Sequence, residues 1–162
     1  MFDNPLAQVV GLLSYCLGVY CFYQRDDRRL KVVLLAMQIN NCIHFALLGA
    51  STALLSSVFS VIRTGVSLRT KSGVVAWLFI AVSFSLGWYV SNSWQDMLPV
   101  MGSCMGTYAL FFLQGIRMRL LFLISACFWL ANNIYVGSLG GTLLEATLIT
   151  VNCRTMFKLY RE

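Results

Sequence analysis

The chain has 162 residues, 59% of them hydrophobic and 11% charged, with a mean hydropathy of +0.75. So few polar residues cannot cover a water-soluble globule of this size, so the chain reads as an integral membrane protein. The formal charge of +6 would suit nucleic acid. The basic residues, however, sit in short gaps between apolar runs, a mark of membrane topology, and nucleic acid is not an expected partner.

A spanning helix needs roughly 20 apolar residues to cross about 30 Å of hydrocarbon. Segment one covers 5–23 and closes on the charged turn QRDDRRLK, 24–31. Asp3 stands where a signal peptide would carry a basic residue, and no small-residue cleavage site follows; the segment is expected to stay as a span. Segment two covers 32–48, GAST at 49–52 makes a small-residue turn, and segment three covers 53–68 and ends in RTKSG. Segment four covers 74–90 and is followed by the uncharged-to-acidic gap SNSWQD, 91–96. Segment five covers 97–116 and ends in RMR, segment six covers 120–136, and GSLGG at 137–141 makes the next turn. Segment seven, 142–156, is short and interrupted by Glu145, Asn152 and Arg154.

Short loops are oriented by their Lys and Arg, which stay on the cytoplasmic side. With seven spans and the N-terminus outside, that side receives Arg25, Arg28, Arg29, Lys31, Arg69, Lys71, Arg117, Arg119, Lys158 and Arg161. Arg63 and Arg154 fall in the inner halves of spans three and seven, and the outer loops receive no basic residue. Five or six spans would break that agreement. This orientation leaves the C-terminus in the cytoplasm.

Sliding the chain against itself by 91 residues brings Arg63 and Thr64 onto Arg154 and Thr155. The same offset pairs Gly11 with Gly102, Arg28 with Arg119, Asn41 with Asn132 and Gly49 with Gly140. The fold class expected is all-α: a polytopic membrane protein of seven helices in a 3+1+3 plan. A first three-helix repeat at 4–72 and a second at 95–162 would be joined by a linker helix at 73–94, all in one membrane domain of 1–162. Parallel repeats of this kind build transporters whose substrate sites lie near the midplane at the repeat interface. Chance likeness between apolar helices is the alternative.

The stretches FYQRDDRRLK, HFALLGAS, IRTGVSLRT, MLPVMGS and VGSLGGTLLEA closely resemble, in order and over nearly the whole chain, the bacterial inner-membrane protein family typified by YgjV. That resemblance implies an inner-membrane location and little chemistry. In architecture alone, the 3+1+3 plan is similar to the SWEET and PQ-loop transporters, the nicotinamide-riboside transporters and the KDEL receptor. The chain has no PQ dipeptide, and its only prolines are Pro5 and Pro99, so a mechanism hinged on prolines in several helices lacks its residues here.

Candidate site residues follow from polar groups inside the apolar runs. In segment two, Asn40, Asn41 and His44 share one helical face; in segment six, Ser125, Trp129, Asn132 and Asn133 do the same. Amides that donate and accept, beside an indole that stacks on a ring, suit a neutral polar solute. Asn41, His44, Trp129, Asn132, Asn133 and Asn152 are therefore the expected substrate-binding group, although Asn and Ser also serve simply as hydrogen-bonding glue between helices. His44 could instead be a neutral histidine bonded to a neighbouring carbonyl. Glu145 is the only acid inside a span; it reads equally as a proton or cation carrier or as a carboxylate reaching headgroup water. Arg63 and Arg154 each lie about 18 Å past their outer turn. They read as a symmetric inner gate, as contacts to an anionic substrate, or as snorkelling anchors. Gly102 and Gly106 form a GxxxG that permits close helix approach. The six cysteines lie in apolar runs without CxxC spacing and read as packing residues.

Together these point to a membrane transporter of a small polar solute, sugar-, nucleoside- or vitamin-like, working by alternating access between two three-helix repeats. A receptor or accessory protein on the same fold is the alternative. Enzymatic activity is not expected, since no nucleophile with its base, no HExxH and no carboxylate pair occurs at one depth. No cofactor and no metal are expected. The expected partners are the solute and the lipid bilayer, and a homo-oligomer is compatible with the sequence.

Overall fold

A computed structural model describes residues 5–161. Asp3, on which the uncleaved first span partly rests, lies outside the described residues, as do Asn4 and Glu162 at the edges of the two expected repeats. The chain is all-helical: α1 (Pro5–Tyr23), α2 (Asp27–Leu47), α3 (Ser51–Ser67), α4 (Gly73–Val90), a 3-10 turn (Trp94–Met97) running into α5 (Leu98–Phe112), α6 (Gly115–Tyr135) and α7 (Leu139–Arg161). Of these, α1, α2, α4 and α6 are long and apolar enough to cross a membrane by themselves. Helices α3 and α5 are shorter, at 17 and 15 residues.

The helix limits depart from the apolar segments where apolarity and helicity are different properties. Helix α2 starts at Asp27 instead of 32, because Asp26 caps it: its carboxylate accepts from Arg29 N at 2.7 Å. Arg28, Arg29 and Lys31 then continue a good helix beyond the apolar stretch. Helix α5 stops at Phe112, and the extended residues Leu113 and Gln114 lead directly into α6. GSLGG is only partly a turn. Gly137 takes the left-handed conformation (φ 71°) that ends α6, as Gly49 (φ 68°) ends α2. Gly140 and Gly141 are already helical. They let α7 close in on its neighbours, since a Cβ at Gly140 would meet the Gly11 backbone at 3.1 Å and one at Gly141 would collide with the Asn133 amide.

Six helices form a closed ring: α1 packs on α2, α2 on α3, α3 on α5, α5 on α6, α6 on α7, and α7 back on α1. Helix α4 lies outside it against α3 and α5. Its buried residues are the small Ala76, Ser83 and Gly87, while Val74, Trp77, Leu78, Trp88 and Tyr89 are exposed. Such an apolar exterior belongs in hydrocarbon rather than water. The ends that carry the basic loops gather on one side of the ring. There an apolar core of Cys21, Phe22, Leu30, Leu34, Leu110, Met118 and Phe122 packs, with the Phe22 and Phe122 rings edge to face at 5.8 Å.

Both limits of α2 and α6, and the starts of α3 and α7, recur at an offset of 88 residues. Helices α2 and α6 start at Asp27 and Gly115 and end at Leu47 and Tyr135; α3 and α7 start at Ser51 and Leu139. The burial pattern keeps the same step: Ala53, Ser56, Ser57, Ser60, Thr64 and Ser67 are buried in α3, and Gly141, Leu144, Glu145, Leu148, Asn152 and Thr155 in α7. At that step Arg63 falls on Val151, so the two RT pairs are not equivalent positions.

Candidate functional site

A cavity of about 60 Å³ lies among the ring helices. Helix α2 contributes Gln38 and Asn41, α3 contributes Ser57, Ser60 and Arg63, and α5 contributes Gly106. From α6 come Ser125 and Trp129, and from α7 Glu145. Phe22, Leu34, Met37, Phe122 and Leu148 close the apolar side.

Arg63 is 4% exposed. Its Nη1 donates to Ser103 O at 2.5 Å and Thr107 Oγ1 at 2.9 Å, and Nη2 donates to Ser60 Oγ at 3.0 Å. The guanidinium therefore ties α3 to α5 through neutral acceptors only, and Nε has no partner. It lies flat on Gly106, where a Cβ would come within 2.7 Å of Nη1; the GxxxG glycine makes room for a charge rather than for a helix backbone. Glu145, on the opposite wall, is 8% exposed, and among the described residues no hydrogen bond or ion pair engages its carboxylate. Glu145 thus lines the cavity.

Asn41 lines the cavity with its Oδ1 occupied by Ser14 Oγ at 2.5 Å, which leaves Nδ2 as the available donor. Gln38 Oε1 is buried without a partner. Trp129 stacks on Phe45 with ring centroids 5.7 Å apart, and its indole rests on Gly102, where a Cβ would meet Cδ1 at 2.8 Å. Ser125 Oγ donates to Gly102 O at 2.7 Å.

Other expected site residues lie elsewhere. His44 is 1% exposed and bridges Ala7 O (Nδ1, 2.8 Å) and Ser138 Oγ (Nε2, 2.9 Å) beside Gly11, so it locks α1, α2 and the start of α7 together. Asn132 and Asn133 are buried near the α6–α7 turn, and Asn152 Nδ2 donates to Arg119 O at 2.7 Å; none of the three lines the cavity. Arg154 is exposed on α7 and lines no part of it. The symmetric arginine gate is thus replaced by one buried arginine and one outward-facing arginine. The sequence reading missed Ser57 and Ser60. Their signal was present, as serines recur at 56, 57 and 60 with Arg63 on one helical stripe of an otherwise apolar segment.

All six cysteines are free, and among the described residues no three His, Cys, Asp or Glu side chains gather to hold a metal ion.

No solved structure matches the chain. It is 35% identical over 156 residues, covering 96% of this chain and 85% of the relative, to the inner membrane protein YgjV of Escherichia coli (strain K12). Residues 5–162 match the Imp-YgjV family, described as bacterial inner membrane protein. With its apolar helices and its match over nearly the whole length, the chain belongs to the Imp-YgjV family of bacterial inner membrane proteins.

Proposed function

We propose that the protein is a transporter, and not an enzyme, that moves a small polar solute across the inner membrane by alternating access. All seven helices cross the bilayer, the N-terminus lies outside, and two three-helix units rock about the cavity while α4 links them. The observation that carries this reading is the cavity itself: a pocket among the ring helices holding Arg63 from one unit and Glu145 from the other. A purely structural bundle gains nothing from such a site, because burying ionisable groups without ion-pair partners is costly.

The closed ring supports the two-unit plan. Each contact in α1–α2–α3 has its counterpart in α5–α6–α7, and the α3–α5 and α7–α1 contacts join the two units. Repeated helix limits and burial at a step of 88 residues favour duplication over chance. Parallel repeats with a site at their junction are a known transporter plan. The collection of basic residues at one end of the ring supports the orientation.

The test is solute counterflow in proteoliposomes across a panel of sugars, nucleosides, organic anions and small amino acids. Uptake of one class, lost when Ser57→Trp fills the cavity, is expected. Failure to move any of them, together with co-purification of a fixed partner protein, would overturn transport in favour of a receptor or accessory role.

A further inference from the structure

The cavity carries one basic and one acidic side chain, and among the described residues neither has an ion-pair partner. Arg63 spends its bonds on two hydroxyls and a backbone carbonyl, and Glu145 has no partner among the described residues. The two face the same space without forming an ion pair. Taking the cavity as the solute site proposed above, we infer that its ligand is a small zwitterion, an α-amino acid of glycine or alanine size, with its carboxylate toward Arg63 and its ammonium toward Glu145.

Three properties of the walls carry this assignment. The first is charge. In a low-dielectric interior an unpaired ion is costly, and a lone carboxyl gives up its proton only beside a cation. A neutral sugar relieves neither, a simple anion relieves only Arg63, and a simple cation relieves only Glu145. Only a ligand bearing both signs relieves both. The second is size. A volume of about 60 Å³ holds roughly four to six water-sized groups, the bulk of glycine or alanine. The third is the hydrogen-bonding complement. Arg63 Nε and Gln38 Oε1 are a donor and an acceptor buried in the wall without partners, which a carboxylate and an ammonium would satisfy once the two side chains turn toward them. The methyl of alanine has Leu34, Met37 and Leu148 to pack on.

The test is isothermal titration of the purified full-length protein with glycine and L-alanine, alongside glycolate, which lacks the ammonium, and ethylamine, which lacks the carboxylate. Glycine and alanine should bind at least about tenfold more tightly than either analogue, the loss expected for one charged hydrogen-bonding group. Glu145→Gln should bring glycine and glycolate to within about threefold of each other, and Arg63→Met should do the same for alanine and ethylamine. Thermal melts confirm that each variant is folded, and should either fail, Gln38→Leu, which removes the unused acceptor, must weaken glycine while leaving glycolate unchanged. Equal binding of glycolate and glycine by the native protein, or no binding of either amino acid by the folded protein, overturns the assignment. The two proposals separate cleanly: sugar counterflow without amino-acid binding overturns the zwitterion and leaves transport standing, whereas amino-acid binding without counterflow does the reverse.

Discussion

Lys31 and Arg119 occupy the same place in their helices and make crossed bonds. Each is the fifth residue of its helix, α2 and α6. Lys31 Nζ donates to Leu110 O near the end of α5 at 2.8 Å, and Arg119 Nη2 donates to Gln24 O just past the end of α1 at 2.8 Å. Both side chains are buried, at 7% and 0% exposed. Two cations thus staple each helix pair to the other at the basic end of the ring, using helix C-terminal carbonyls that have no partner of their own and carry partial negative charge.

If these staples hold that end shut, removing both opens it. Hydrogen bonds to charged groups contribute about 1.5–3 kcal/mol each, so Lys31→Met with Arg119→Met should shift the opening equilibrium by about tenfold or more. Cys21 reports on it, being fully buried with its thiol donating to Leu30 O at 3.2 Å. Its maleimide labelling should accelerate at least tenfold in the double variant. An unchanged labelling rate would mean the apolar core alone closes this end.

Gly106 and Arg63 form a second coupled pair. Because the guanidinium lies on the Gly106 Cα, Gly106→Ala forces it away from Ser103, Thr107 and Ser60. Overpacking of this kind costs about 1–3 kcal/mol, or roughly 2–4 °C of melting temperature per kcal/mol. Gly65→Ala, where nothing lies within 4 Å, should melt with the native protein or above it. Combining Gly106→Ala with Arg63→Met should recover most of the loss. Equal destabilisation with and without Arg63 would show that the alanine strains the backbone instead.

Much of this arrangement is legible in the sequence. Apolar run length and Lys/Arg placement give the seven helices and their order, because both follow from the bilayer acting as solvent. Glu145, Asn41, Trp129 and Arg63 stand out for the same reason: polar groups inside an apolar run need a reason to be there. Which of them meet is not legible. Three-dimensional convergence depends on how far each helix rotates about its axis, and a stripe of serines such as 56, 57 and 60 looks like ordinary small-residue packing until α3 is placed beside α5. The 91-residue offset rests on the polar letters RT, whereas most buried positions of α3 and α7 correspond three residues earlier. His44 takes the second of its two readings, a histidine bonded to a neighbouring carbonyl. His44 is polar and buried, yet both ring nitrogens are already engaged.

His44 therefore has a structural role that can be separated from function. His44→Ala removes two hydrogen bonds and a ring that fills the notch over Gly11, and it leaves Ser138 Oγ with only Gly141 N. Loss of buried bonds and packing volume together should cost about 2–4 kcal/mol. Counterflow per folded molecule should change less than about twofold, since a structural loss of this kind lowers the folded population rather than solute affinity. Abolished counterflow in a protein that melts normally would instead place His44 in the transport path.

Arg63 and Arg154 provide the sharpest contrast. The sequence pairs them through a shared RT; the structure buries one and exposes the other. For Arg63, the desolvation cost of an ion without a counter-charge opposes its three hydrogen bonds, and replacing buried ionic groups by apolar residues of similar volume is often neutral or stabilising. Arg63→Met should therefore melt within about 1 kcal/mol of the native protein while losing solute movement almost completely, the usual pattern where a site is kept for function at the expense of stability. Arg154→Met removes an exposed charge with no role in the cavity, so both stability and counterflow should stay within about twofold of native. Paired melting curves and counterflow rates for the two variants decide the matter. If Arg154→Met abolishes movement as fully as Arg63→Met, the two arginines act as a matched gate after all, and the single-arginine site is wrong.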